Sequence, residues 1–367
     1  MKIGVDAKWY FSGPPSGVNV VRNIVDNMII NDTEDQIVFF LNKKDIDRKL
    51  YFEEKIKNYK NLSFEFINLS LLTKLLLFPF MIWNKKMDVI LFQNFIPLWG
   101  GRRTKFVVYI HDLLFLDFPQ YFSRFERIAY RIMLLSAKRS SHVITISESE
   151  RNRILKHADF PEEKVSYVYH GIDPVFYERS KPIRSEVRIK YNLPDKYILF
   201  VGRINVRKNI STLLKAYNAC NQDISLVIVG KEEHKGYNLL RDLNQVSNNA
   251  KIHKIGFVPD NDLAEIISGA TIFVFPSYAE GFGLPPLEAM KSGVPTIISN
   301  TTSLPEVCGD AAISFNPDDY VELTSKMVAL LSDAELYHSY KVKGLNQAEV
   351  YSWERSVNSI LKILRNL

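Results

Sequence analysis

Cysteine is nearly absent from these 367 residues: two occur, Cys220 and Cys308, far apart and without the spacing of metal ligands. A disulfide framework and a zinc cluster are therefore not expected, and a reducing cytoplasm fits better than a secreted setting. Long apolar runs are missing too, since none reaches the roughly 18 residues that a spanning helix needs. The first residues, Met1-Lys2-Ile3-Gly4-Val5-Asp6, have neither an apolar signal core nor a small-residue cleavage site, and read as the start of a strand. Signatures of nucleic-acid binding are lacking, with no zinc-finger spacing and no recognisable single-strand-binding pattern. The chain is expected to be soluble, or at most peripheral to a membrane.

What is present is globular in composition, 46% hydrophobic and 24% charged. The length suits two domains of about 150 to 200 residues each. The net charge of +6 is placed unevenly: residues 1–170 carry 25 Lys/Arg against 19 Asp/Glu, and residues 171–367 carry 22 against 22. An excess confined to the first half suits phosphate-bearing ligands or an anionic membrane surface.

The second half alternates short apolar strands with helical segments. Strands are predicted at Tyr197–Val201, Ile224–Val229, Lys251–Phe257, Thr271–Phe275 and Pro295–Ser299, and helices at Asn209–Cys220, near Tyr237–Ser247, at Asn261–Ser268 and from Pro286. Continuously apolar, β-branched strands in this alternation predict a parallel sheet covered on both faces, a doubly wound α/β domain. The first half repeats the plan less cleanly, with helices predicted at Ser16–Ile30, Leu69–Trp83, Phe122–Arg139 and Ser147–Lys156. Residues 173–195, rich in proline and charge, read as a linker with a short helix. The expected organisation is thus domain 1–172, linker 173–195, domain 196–348 and a terminal helix in 349–367.

In such sheets ligands bind where strand ends meet helix N-termini. After Val201 comes Gly202-Arg203-Ile204-Asn205-Val206-Arg207-Lys208-Asn209, in which Arg203 and Lys208 could neutralise a diphosphate leaving group. The same spacing also suits a solvated charged loop. After Phe275, Glu280-Gly281-Phe282-Gly283-Leu284-Pro285-Pro286-Leu287-Glu288 places two glycines before a proline-led helix start. Gly281 and Gly283 permit close backbone approach, and Glu288 could bond a sugar or ribose hydroxyl. A glycine–proline turn before an ordinary helix would look similar. In the first half, a Ser12–Val18 loop follows the first strand without a G-x-G-x-x-G or a phosphate-loop lysine, and Ser16 could simply cap a helix. His111-Asp112 follows the strand at Lys105–Ile110, where a histidine could bond a reacting sugar or phosphate; most of the seven histidines are expected to be structural, so His111 alone carries little weight.

Taken together these residues resemble family 4 of the glycosyltransferases, whose GT-B fold has two facing Rossmann-like domains with a cleft between them. The resemblance runs from GVDA at Gly4–Ala7 to YSWE at Tyr351–Glu354. Its most specific part is the paired-glutamate motif with seven residues between Glu280 and Glu288. FVGRINVRKNI, HD at His111–Asp112, HGID at His170–Asp173 and GFVPD at Gly256–Asp260 join it in the right order. The resemblance implies that Arg203 and Lys208 bind the donor diphosphate, helped by backbone amides near Gly17 and at Gly281, Phe282, Gly283 and Leu284. It implies that Glu288 holds the ribose, that Phe257 and Val258 line the base pocket, and that Glu280 and His111 contact the transferred sugar. It further implies retention of anomeric configuration, no metal, no cofactor beyond the donor, and a C-terminal helix that packs back on the first domain. The motif variant looks most like bacterial mannosyltransferases of O-antigen and envelope polysaccharide synthesis. The expected donor is GDP-mannose and the expected acceptor a glycan or lipid-linked saccharide, with rhamnosyl and glucosyl donors as alternatives. A nucleotide-sugar 2-epimerase of the same fold and a non-catalytic nucleotide-sugar binder are the rival classes.

Two segments, Leu69–Trp83 followed by Lys85 and Lys86, and Phe122–Arg139, mix apolar and basic residues. Either could be a Rossmann helix with one solvated face, or could lie on an anionic bilayer. With the charge asymmetry, the expectation is weak, salt-sensitive association of the first domain with the cytoplasmic face of the inner membrane.

Overall fold

The computed structural model describes residues 1–31, 34–100, 103–179, 182–233, 239–244, 246–247 and 251–367. The chain forms two compact units, one of Met1–Gly171 with Ser352–Leu367 and one of Ile172–Tyr351.

The first unit is built on strands β1 (Lys2–Asp6), β2 (Gln36–Asn42), β3 (Leu62–Ile67), β4 (Val89–Gln93), β5 (Lys105–Tyr109), β6 (His142–Thr145) and β7 (Val165–Tyr167). All pairings are parallel in the order β3-β2-β1-β4-β5-β6-β7. Its helices are α1 (Pro15–Ile30), α2 (Lys49–Ile56), α3 (Phe78–Ile82), α4 (Arg124–Ala137) and α5 (Glu148–Ala158). The second unit carries α6 (Ser185–Lys190), β8 (Tyr197–Val201), α7 (Ile210–Ala219), β9 (Ser225–Val229), α8 (Leu239–Leu243), β10 (Ile252–Ile255), α9 (Asp260–Ser268), β11 (Ile272–Phe275), α10 (Leu284–Lys291) and β12 (Thr296–Ser299). It continues with α11 (Leu304–Cys308), β13 (Ile313–Phe315), α12 (Tyr320–Ser332) and α13 (Ala334–Ala348). Its parallel sheet runs β10-β9-β8-β11-β12-β13. The last helix, α14 (Trp353–Arg365), rejoins the first unit.

The central strands β4, β6, β8, β11 and β12 are buried at every residue, as expected of a sheet covered on both faces. In each sheet the strand order reverses between two neighbours, β1 and β4 in the first and β8 and β11 in the second. Loops leaving such a pair diverge to opposite faces and open a crevice at the carboxyl ends. This topology fixes where a ligand can enter each unit.

Several local expectations change. The segment predicted as a helix over Leu69–Trp83 is helical without interruption over residues 71–85, but its pitch changes from a π-turn (Thr73–Leu77) through the short α3 to a 3₁₀ turn (Trp83–Lys85). Pro79 has no N–H to give to the Leu75 carbonyl four residues back. The Leu98 N–H takes that carbonyl instead (2.9 Å), and Trp99 Nε1 takes the next one, on Leu76 (2.7 Å). Ser16 does not cap α1; the helix begins at Pro15, and Pro14 precedes it with no side-chain cap. Residues 173–195, read as a linker, belong to the second unit, where Phe176, Ile183, Val187 and Leu193 are buried and Arg184 Nε bonds Glu265 at 2.6 Å. Of the helix predicted near Tyr237–Ser247, residues 237, 238 and 245 lie outside the described residues.

The return of α14 to the first unit rests on specific contacts. Arg365 Nε meets Asp35 at 2.7 Å, Ser356 Oγ donates to the Tyr169 carbonyl, and Trp353 packs against His170. Val357, Ile360, Leu361 and Leu364 supply its buried stripe. Gly171 is the tightest point, because a Cβ there would lie 2.0 Å from the Trp353 backbone nitrogen. Gly171→Ala is therefore expected to destabilise the protein by at least about 1–3 kcal/mol. Gly256→Ala, whose Cβ would meet nothing within 4 Å, serves as control. Urea unfolding of the two variants checks this, and equal midpoints would refute it.

Candidate functional site

In the second unit the loops leaving β8 and β11 meet at the point where the strand order reverses. The β8 loop turns through Val206–Lys208, where the Asn205 side chain accepts from the Lys208 N–H (3.1 Å). Asn209 follows in the left-handed conformation (φ 53°), and its amide donates to the Pro276 carbonyl (3.1 Å) and the Pro317 carbonyl (2.8 Å). Asn tolerates that backbone better than most residues because its short polar side chain bonds locally. The two loops are thus stitched together before any charged group is considered.

Glu280 is the centre of the arrangement. Its carboxylate takes Lys208 Nζ at 2.6 Å on one oxygen and Arg207 Nη1 at 3.1 Å on the other. The Glu280 N–H donates to Thr302 Oγ1 (2.9 Å), and Ser303 Oγ donates to the carbonyls of Glu280 (3.0 Å) and Phe282 (2.9 Å). Burial would raise the Glu280 carboxyl, but the two cations overcome it and hold the group down at about 2. Burial pushes the Lys208 ammonium down to about 8 against the pull of Glu280, with Arg207 and Arg203 pushing the same way as burial. Lys208 Nζ also lies 4.6 Å from the Phe275 ring centroid. One carboxylate between two cations leaves the cluster with an excess positive charge.

Beside it, Gly283 (φ 110°) immediately precedes α10, and a Cβ there would lie 2.7 Å from Leu304. Because Pro285 and Pro286 carry no N–H, the backbone donors available at this helix mouth are Gly283 and Leu284. The helix begins at Leu284 rather than Pro286, which puts Glu288 in its second turn and not its first. Glu288 is buried, and burial, together with Asp260 and Asp173, pushes its carboxyl up to about 8. At neutral pH it is mainly protonated and can donate as well as accept a hydrogen bond.

The two members of the base-pocket pair differ in their surroundings. Val258 is buried, whereas Phe257 is 62% exposed with Lys231 Nζ 5.4 Å from its ring centroid. Arg203 is also differently placed from Lys208: it is half exposed and paired with Glu233 at 2.7 Å. The cation that shares Glu280 with Lys208 is Arg207, which the sequence reading passed over. Its neighbours Arg203 and Lys208 drew attention, yet three cations within six positions were the available signal. Gly281 and Phe282 line the same turn, with Phe282 edge-on to Tyr351 (5.8 Å).

The first unit has its own polar cluster at the β1/β4 reversal. Asp6 ends β1, Gln93 ends β4, and His111 lies two residues beyond β5. Buried Lys74 forms an ion pair with Asp6. His111 Nε2 meets Gln93 Oε1 at 2.9 Å, and its ring packs against Trp9 (5.5 Å) and Tyr109 (5.3 Å). Burial and then Lys8 push the His111 imidazole down to about 3, with Asp6 opposing, so it is neutral at pH 7. It can serve as a hydrogen-bonding group but not as a standing cation. Gly17 reaches this cluster through Trp9, since a Cβ on Gly17 would lie 2.8 Å from that indole. Trp9 and Lys8 were not singled out from the sequence. Burial and then Lys74 bring the Lys8 ammonium down to about 7, with Asp6 opposing.

Two units, each with a parallel strand order that reverses once and charged residues gathered at the reversal, define an α/β protein of the doubly wound class. Residues 184–347 match the family Glycosyl transferases group 1, and residues 46–176 match Glycosyltransferase Family 4. O-antigen chain mannosyltransferase B of Escherichia coli is 30% identical over 273 residues, 72% of this chain and 71% of that protein. Serotype-specific mannosyltransferase WbdA of Escherichia coli is 31% identical over 269 residues, 69% of this chain but 32% of WbdA, so the chain spans about a third of that protein's length. The crystal structure of Anabaena HepE in complex with UDP and glucose superposes with a TM-score of 0.75 at 18% identity, covering 100% of both chains. The chain belongs to the group 1, family 4 glycosyltransferases, and its two Rossmann-like units are those of the GT-B fold.

The raised Glu288 carboxyl makes a sign-defined prediction. A carboxyl lifted from 4.5 to about 8 on folding contributes stability that is fully present below pH 4.5 and lost as pH rises through about 8. Glu288→Gln removes that dependence. Its Tm relative to the parent should rise steadily from about pH 4.5 to about pH 8. Calorimetry across this window checks it; a constant difference would show that burial does not perturb Glu288.

Proposed function

We propose that this glycosyltransferase moves a mannosyl group from GDP-mannose to a glycan or lipid-linked saccharide acceptor. Anomeric configuration is retained, and no metal or cofactor beyond the donor is needed. The setting is synthesis of a bacterial O-antigen, capsule or other envelope polysaccharide. The observation that carries the transfer reading is the buried Arg207–Glu280–Lys208 cluster beside the free amides of Gly283 and Leu284. The mannosyl part is supported by the names of the O-antigen relatives.

In this reading the donor diphosphate lies against Lys208 and the Gly283–Leu284 amides, with Arg203 free to swing from Glu233. Positive charge fixed at that spot stabilises the departing diphosphate more than the intact donor, which is where catalysis gains. Phe257 offers an exposed face to the base, and Glu288 bonds the ribose. The bond from the anomeric carbon to the diphosphate oxygen breaks on the same face on which the acceptor oxygen bonds. The acceptor's proton passes to the leaving phosphate oxygen, so no protein base is required. Glu280 bonds hydroxyls of the transferred sugar, His111 offers its ring to a sugar hydroxyl of the substrate, and the first unit receives the acceptor.

A nucleotide that binds only the folded state raises apparent stability, by about 2.7 kcal/mol at a hundredfold excess over its Kd. GDP is expected to raise the Tm, with UDP, dTDP and ADP giving little; a shift with UDP alone would overturn the mannosyl assignment and leave the transfer reading standing. Lys208→Ala should lower kcat about 10²–10³-fold, the scale for losing one preorganised charge-stabilising group. Isomerised donor without acceptor would instead mark an epimerase.

We further propose weak peripheral binding to an anionic membrane at the cytoplasmic face. Leu72, Leu77, Phe80 and Trp83, together with Phe125, Ile128 and Leu135 of α4, are each more than half exposed, and Arg124, Arg127 and Arg131 share α4 with the last three. The inward residues of both segments, Phe78 and Ile82 with Met133 and Leu134, belong to one core. No helix among the described residues is long and apolar enough to cross a membrane. Flotation with phosphatidylglycerol liposomes should carry the protein at about 0.01 M salt and release it at about 1 M. Absence from the floated fraction at low salt would refute membrane binding.

A further inference from the structure

The polar cluster of the first unit has a direction that the transfer chemistry does not use. Asp6, at the end of β1, accepts from the Gln93 backbone N–H through Oδ2 (3.1 Å) and from the Lys8 N–H through Oδ1 (3.2 Å). Lys74 bonds the same Oδ2 and also donates to the Gln93 carbonyl (3.3 Å). The ion pair therefore grips both backbone polar groups of Gln93. The two charged side chains are 0% and 1% exposed, so water does not compete for these bonds. Lys74 reaches this position from the π-turn, a wider turn that is often found at functional sites.

Gripped in this way, Gln93 has only its side chain left to direct. It is fully buried, and its Oε1 faces His111 Nε2. Its own Nε2 is a buried donor without a partner, a cost that calls for an explanation. With a carbonyl oxygen opposite, the ring Nε2 must carry the proton, which makes Nδ1 the acceptor. Asn94 Oδ1 accepts from the His111 backbone N–H (3.3 Å), and Trp9 and Tyr109 flank the ring. His111 Nδ1 bonds none of the described residues.

We propose that Gln93 is a positioning residue: held through its backbone by the Asp6–Lys74 ion pair, it keeps His111 as the Nε2–H tautomer and leaves Nδ1 as an acceptor for a sugar hydroxyl. This rests on the reading that His111 works on the substrate. The other charged and titratable groups around the ring are Lys8, Asp6, Tyr109, whose hydroxyl meets His170 Nδ1 at 3.3 Å, and His170 itself. His170 is itself buried and neutral beside Tyr109, so the choice of tautomer falls to Gln93.

Long-range ¹⁵N–¹H correlation spectra of the full chain with labelled histidine distinguish the two tautomers, and His111 is assigned by its loss in His111→Gln. The parent should show a neutral Nε2–H ring at pH 7. Gln93→Met, equal in length but without the amide, should lose that preference and lower kcat about tenfold, with KM for the donor unchanged. Gln93→Glu, which restores an acceptor, should recover the tautomer. An Asp6→Asn/Lys74→Met double variant, which leaves no uncompensated buried charge, should loosen His111 as Gln93→Met does. A parent in the Nδ1–H form, or a Gln93→Met ring still in the Nε2–H form, would overturn the positioning role whatever His111 does. Full turnover by His111→Ala would overturn the substrate role of His111 on which the proposal rests, while leaving the tautomer result standing.

Discussion

A carboxylate buried between two cations holds together the loops of the second unit at its strand-order reversal. Glu280 cannot lose either Lys208 or Arg207 cheaply, because a buried charge without its partner is far more costly than an exposed one. Its backbone is held as firmly, by Thr302 and Ser303. The β8 and β11 loops are thereby locked to each other at the strand-order reversal. The positive charge of the cluster is thus fixed in place by the fold itself. The proline-led start of α10 then concentrates the remaining backbone donors on two residues.

The first unit solves a similar problem with different residues. There the carboxylate is Asp6, the cation Lys74, and the strands joined are β1 and β4. In both units a charged pair sits where a parallel sheet divides its connections between two faces. The crevice that makes this a binding position also removes water from the charges, and each pair then depends on close geometry. The consequences differ. Around Glu280 the excess charge is positive and suits an anion, whereas around Asp6 the pair is balanced and its effect is passed on through Gln93 to a neutral histidine.

Much of this was legible in the sequence, and particular residues show where legibility stopped. The apolar runs YILFV and TIFVF could only be buried parallel strands once helical segments alternated with them, and both appear in the structure with boundaries within a residue of the reading. Lys208, Glu280, Gly283 and Leu284 stood out because each follows a strand end, and the structure brings Lys208 and Glu280 together as an ion pair. Arg207 was missed because an arginine beside a lysine carries no periodic mark, and its partner lies 73 positions away. Arg203 was grouped with Lys208 on spacing, yet a 3₁₀ turn separates their directions and gives Arg203 to Glu233. The Leu69–Trp83 segment read as a helix because its apolar residues are dense. It is helical, but with a π-turn ahead of Pro79, whose missing N–H leaves the Leu75 carbonyl to Leu98.

The sequence by itself determined the fold class, the family and the loops in which the candidate site residues lie, because strand periodicity, glycine placement and motif order are local properties of the chain. Only the tertiary structure decided which charges meet, which carboxyl is ionised and which nitrogen of His111 is engaged. Burial and partners set those outcomes, and both come from segments far apart in sequence. Glu280 and Glu288 make the difference plain: eight positions apart in one motif, they are held at about 2 and about 8. One lies between two cations, while the other is buried near two further carboxylates.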